Sequence, residues 1–208
     1  MRMLIIGNGE SRKNINIDKD DDIKIGCNAI HRDWYVRHLV CADRKMVREA
    51  IDNNYNQDSL IYTRNCWFQE FTTCKNIRII PDLPYVGSER YDEEMNWGSG
   101  LYAILLGIKL IIEKGHQRQL RIIGFDLYGT EEGKLNNVYK DTNNYSLSTK
   151  SAVNPKYWII QMAKLMQLYP DIQFVFYNNE NWISPKAWKK KNFVLDNINN
   201  FTYNNIDK

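Results

Sequence analysis

Gly7-Asn8-Gly9, followed at one remove by Ser11, ends the apolar run Leu4–Ile6. Asn28 and Asp43 each close a further apolar stretch, and Gly124 to Tyr128 close another. Asn96-Trp97-Gly98-Ser99-Gly100 opens a long apolar segment. Glycine permits positive φ and lets a ligand approach the backbone closely. The Asn8 amide can both donate and accept. Small residues at a helix start leave backbone N–H groups free for phosphate or carboxylate, and Ser99 could add a hydroxyl. Taken singly, the first loop also reads as a tight turn and the second as an ordinary N-cap. Together, with Asn28 and Asp126 at strand exits, they favour a nucleotide site. G-N-G-E-S lacks the third glycine of the dinucleotide fingerprint, and no G-K-[ST] follows to make a Walker loop.

These residues need strands to carry them. Short apolar, β-branched runs predict strands at 3–7, 23–28, 38–43, 59–64, 77–80, 120–126 and 172–178, where the series closes. Helical spacing predicts helices over 44–54, 99–115 and 154–170, the second stopped by a Gly115 cap and the third started at Pro155. Such alternation argues an α/β fold, a parallel sheet with helices on both faces. Ligands of that architecture sit beyond the carboxyl ends of the strands. Residues 1–181 form the expected nucleotide-binding domain. Within it, 127–153 is polar and aperiodic and reads as a mobile excursion. Residues 182–208, with Trp182, Trp188 and Lys189–Lys191, read as a solvated tail, or as a surface for a membrane or an acidic partner.

The 208 residues carry a net charge of +3, too little to argue for nucleic acid. No apolar run approaches the length of a membrane span. Scattered Cys27, Cys41, Cys66 and Cys74, with no signal peptide, indicate reduced thiols in a cytoplasmic protein. His31, His38 and His116 lack metal-ligand spacing, and the acidic run 18–22 reads as a solvated loop, so no metal is expected. The apolar helix over 101–112 makes a homo-oligomer plausible.

"LIIGNGES", "GCN" (26–28), "GSG" (98–100) and "IIGFDLY" (122–128) stand in the order, and at spacing comparable to that, of the bacterial sialyltransferases that cap lipooligosaccharide, which this sequence resembles over residues 3–180. "GCNAIHRD", "DRKMV" and "NNVY" look like glycosyltransferase-like proteins encoded by viruses of bacteria. The resemblance implies one Rossmann-like nucleotide-binding domain with a small lid, 127–153, and a CMP-linked sugar donor used without metal or other cofactor. It also implies a glycan acceptor and an inverting transfer. Carried over, Asn8, Gly9 and Ser11 would contact the nucleotide, and Asn28 the cytidine or ribose. Ser99 and Gly100 would line the donor pocket, with Asp126 at its base; the reading of strand exits and of the loop that opens the long helix adds Gly7, Asp43 and Gly98. Tyr128 and Tyr139 would hydrogen-bond the departing phosphate.

Two positions depart from the family pattern. Glu10 replaces the proline of Gly-Asn-Gly-Pro-Ser and brings a negative charge near a phosphate. Asn144, in "DTNNY", stands where the lid histidine serves as base, and a carboxamide does not accept a proton at neutral pH. Asp141 and Asp43 are the alternative bases. Three functions follow: a CMP-sugar-dependent glycosyltransferase, a nucleotide-binding protein without transfer, and a glycosyltransferase on modified DNA bases that uses Lys45, Arg48 and the Lys189–Lys191 run.

Overall fold

The computed structural model describes residues 1–18, 22–88 and 90–203. Each predicted strand forms: β1 (Met3–Ile6), β2 (Ile23–Cys27), β3 (His38–Val40), β4 (Leu60–Thr63), β5 (Ile77–Ile79), β6 (Gln119–Ile123) and β7 (Gln173–Asn178). An eighth, β8 (Phe193–Asn197), joins them. Every pair is parallel, in the order β5-β4-β3-β2-β1-β6-β7-β8. The fold is therefore α/β and Rossmann-like. The direction of strand addition reverses between β1 and β6, the switch point at which such sheets open a crevice.

The helices are α1 (Arg44–Asp52), α2 (Asn65–Phe68), α3 (Ser99–Lys114), α4 (Lys156–Leu168) and α5 (Ile198–Tyr203). α3 and α4 cover one face, where Leu101, Ile104, Leu105, Ile108 and Ile111 pack on Ile5, Ile25 and Ile122. α1 and α5 cover the other, with Met46, Val47 and Phe201 against Leu4, Ile6 and Leu39. Each fully buried Leu or Ile contributes about 2 kcal/mol. The apolar character of α3 is thus spent on the core, so it is no argument for an oligomer. Gly115 caps α3 in the left-handed region at φ 64, as its sequence position predicts.

The sheet does not close at β7, and residues 182–203 are not a solvated tail. Trp188 is 1% exposed and donates its indole N–H to the Ile159 carbonyl at 2.9 Å. The Asn192 amide donates to the carbonyls of Met166, Tyr169 and Ile172, satisfying the C-terminal end of α4. β8 escapes pattern reading because it is a half-buried edge strand that exposes Leu195 and ends in Asp196-Asn197. Of the acidic run 18–22, residues 19–21 lie outside the described residues. Asp22 is buried and pairs with both Arg2 and Arg121 at 2.9 Å, so it is structural.

Candidate functional site

The β1 loop is built against the β6 loop. Gly7 N–H donates to the Ile123 carbonyl and Gly9 N–H to the Gly124 carbonyl, each at 2.8 Å. A side chain at Gly7 would overlap the Gly124 backbone, and one at Gly9 the Asp126 carboxylate. Neither glycine has positive φ, contrary to the reading from type; they are there for close approach, and what approaches is protein. Glu10 to Arg12 then form a 3₁₀ turn. The Ser11 hydroxyl and N–H both bond the Asp126 carboxylate, the latter at 2.9 Å. Ser11 therefore lies behind the site rather than on it. The Glu10 carboxylate turns away to Lys140 at 2.8 Å, which removes the expected clash of charge. Arg12, which the sequence reading passed over, is buried and donates to the Gly7 carbonyl at 2.7 Å and to the Tyr139 hydroxyl at 2.9 Å.

Facing this wall is one made by β2, β3 and α3. Asn28 sits at φ 52, a left-handed position Asn tolerates better than most residues. Its side-chain oxygen accepts from the Ser99 hydroxyl at 2.7 Å, and that hydroxyl accepts from Ala42 N–H at 2.9 Å. Ser99 is thus a bracket, not a free ligand group. The bracket turns the Asn28 side-chain NH₂ toward the space in front of α3, where it has no protein partner among the described residues. The N–H groups of the first turn of α3 are free by helix geometry. Asp43 stands beside them, its carboxylate 57% exposed and 3.6 Å from the Arg64 guanidinium. Burial pushes the Cys27 thiol up to about 12, so it stays protonated and is no nucleophile.

Between the walls lies a cleft of about 320 Å³. Gly7, Asn8, Gly9, Asn28, Asp43, Gly98, Ser99, Gly100, Asp126 and Tyr128, all among the candidate site residues of the sequence, line it together. Phe125, Leu101 and Trp158 supply apolar walls. Trp158 was missed, although it lies in the first turn of α4, and a crossover helix starts at the ligand-bearing edge of a parallel sheet. Among the described residues no Lys or Arg lines the cleft, and the partial positive charge it offers a ligand is that of the α3 N-terminus. Tyr128 is 38% exposed, and partial burial raises its phenol pKa, keeping it a hydrogen-bond donor.

The other three residues proposed for catalysis do not line this cleft. Tyr139 is 5% exposed; its hydroxyl donates to Asp33 at 2.6 Å while accepting from Arg12. Asn144 is exposed at φ 66, its amide donating to Glu49 at 2.7 Å. Asp141 is exposed too, and Ser148 N–H holds its carboxyl below the usual range, which makes it a weak base. Nor is 127–153 a free excursion. Asn136 accepts from Glu10 N–H at 2.8 Å, Val138 N–H donates to the Asn8 carbonyl at 2.9 Å, and the Asn8 amide donates to the Tyr145 hydroxyl at 3.1 Å. Only its first part, with Leu127, Tyr128, Asn136 and Asn137, reaches the cleft. His31 bonds the Asn28 carbonyl from behind, at 3.1 Å, and does not line it.

No family model and no curated protein matches this chain. Among solved structures, the crystal structure of the sialyltransferase CST-II in complex with trisaccharide acceptor and CMP is similar, at a TM-score of 0.46 and 13% identity, over 85% of this chain and 80% of that one. The likeness is distant, and the fold assignment rests on the strand order itself. Among the described residues no helix is long and apolar enough to cross a membrane.

Proposed function

We propose that the cleft binds a nucleotide-activated sugar, CMP-linked, and that the protein is a metal-independent, inverting glycosyltransferase of the cytoplasm acting on a glycan acceptor. The observation that carries this reading is the meeting, at the β1–β6 switch point, of the open first turn of α3 with the Asn28 NH₂, which has no partner among the described residues. A helix N-terminus suits one phosphate. With two acids and no cation on its walls, the cleft suits the single phosphate of a CMP-sugar better than a diphosphate. Phe125 and Trp158 offer apolar surface to a base or sugar ring, and Asn28 and Asp43 offer polar groups to the nucleoside. In transfer, the acceptor hydroxyl oxygen bonds the anomeric carbon as the carbon–phosphate oxygen bond breaks. That bond's electron pair leaves on CMP, and the hydroxyl proton passes to the Asp43 carboxylate, the alternative base that lines the cleft. A hydrogen bond from Tyr128 to the departing phosphate oxygen strengthens as charge develops.

Titration of CMP, CDP, UMP and UDP by calorimetry, with and without EDTA, tests the reading. CMP should bind equally in both conditions. Binding of none of the four would overturn it, and UDP binding that needs Mn²⁺ would move the protein to another class of glycosyltransferase.

A second reading is nucleotide binding without transfer. It is favoured by the placement of Tyr139, Asp141 and Asn144 outside the cleft. Turnover of CMP-sialic acid above its spontaneous hydrolysis, with a panel of glycans present, would refute it. Action on DNA has less support: Lys45 is bonded to the Asn144 carbonyl and Arg48 lies 3.7 Å from Glu70, which leaves less free positive charge on that face.

A further inference from the structure

A second groove, of about 550 Å³, opens between the loops that follow β6 and β7. It shares Asp126, Tyr128 and Asn136 with the nucleotide cleft, so the two are back to back across one wall. Its far side is formed by Trp182 and the exposed Asn179 and Asn181. The Trp182 and Tyr128 rings lie 6.3 Å apart, inclined by 41°. The Trp182 indole N–H is fixed on the Asp126 carbonyl at 2.7 Å, and its backbone N–H on the Asn179 carbonyl at 2.9 Å. The ring is thus held in place while part of its surface stays open.

We infer that this groove is a carbohydrate-binding subsite, the one that takes the acceptor glycan; the acceptor role rests on the function proposed above, the carbohydrate chemistry does not. A pyranose presents an apolar C–H face and a rim of hydroxyls. Aromatic rings with one wet side match the face. Carboxamides, which donate and accept at once, match the rim. Asn179 and Asn181 make no side-chain hydrogen bond within the described protein, and the Asn136 NH₂ is free because only its oxygen is engaged, by Glu10 N–H. Among the described residues the groove's charged groups are the carboxylates of Asp126 and Glu131, with no Lys or Arg. A phosphate, a nucleic acid or an anionic lipid is repelled by that lining, whereas sugar hydroxyls bond to it. A sugar held there would share the Asp126–Tyr128 wall with a donor held in the first cleft.

The test passes the full chain over an immobilised array of neutral and sialylated oligosaccharides, with CMP titrated in parallel by calorimetry. Wild type should be retained by a subset of the glycans. Asn179→Ala with Asn181→Ala should weaken retention at least fivefold and leave CMP affinity within twofold; Trp182→Leu should abolish retention. Should Trp182→Leu fail to fold, the exposed asparagine pair still decides the matter. No retention of wild type, or equal retention of the asparagine variant, overturns the inference. CMP binding without glycan retention removes the subsite and keeps the nucleotide reading; glycan retention without CMP binding does the reverse.

Discussion

On the β1–β6 wall of the cleft, Gly7 and Gly9 donate to the Ile123 and Gly124 carbonyls and Ser11 to the Asp126 carboxylate. On the β2–α3 wall, Asn28 and the first turn of α3 keep donors turned outward. Both walls carry small and polar residues at strand exits. The difference is where their partners lie. In the first wall the sheet's own loops approach so closely that a methyl group has no room, and the polar groups are consumed in holding that approach. In the second, one hydroxyl, that of Ser99, absorbs the internal bonding and frees its neighbours for a ligand. A glycine-rich turn is therefore not by itself a ligand clamp.

The largest expected effect follows from the packed wall. Gly9→Ala should lower stability by about 3 kcal/mol, a fall in melting midpoint of roughly 6–12 °C, because overpacking displaces Asp126 from Ser11. An unchanged midpoint in a thermal melt would break the comparison. On the open wall the effect should move from stability to binding. Asn28→Gly keeps the left-handed backbone and removes the amide, so CMP affinity should fall about tenfold with little change in melting. A large loss of stability with unchanged affinity would place Asn28 on the structural side. Tyr128→Phe removes one partly exposed donor to the leaving phosphate and should slow donor turnover by about tenfold, with KM nearly constant. A raised KM at constant kcat would instead mean ground-state binding only. The smallest effect is expected from Asn144→His. The side chain at 144 faces Glu49 outside the cleft, so a histidine there should leave turnover unchanged; a gain in turnover would show that this segment moves over the site.

The sheet was legible because its seven inner or well-patterned strands are apolar runs that end in turn residues, a pattern that burial on both faces enforces. β8 was not, since an edge strand under one helix has little to alternate. The cleft residues were legible because a parallel sheet puts its ligands at strand exits, so position alone selected Asn28, Asp43 and Asp126. Roles were less so. Ser11 and Ser99 look like ligand hydroxyls in the sequence, and only three-dimensional neighbours reveal that Asp126 and Asn28 claim them. The resemblance implies a phosphate-bonding role for Tyr139, but Arg12 and Asp33 enclose its hydroxyl. Glu10 looked misplaced until Lys140, far along the chain, supplied its partner.

The most direct measurement is a map of backbone amide shifts as CMP is added to the full chain in the presence of EDTA. The amides of Asn28, Ser99, Gly100 and Leu101 should move most and saturate together, with Glu10 and Ser11 nearly still. Shifts concentrated at residues 7–11 with the start of α3 unmoved, or no shifts at all, would contradict the account.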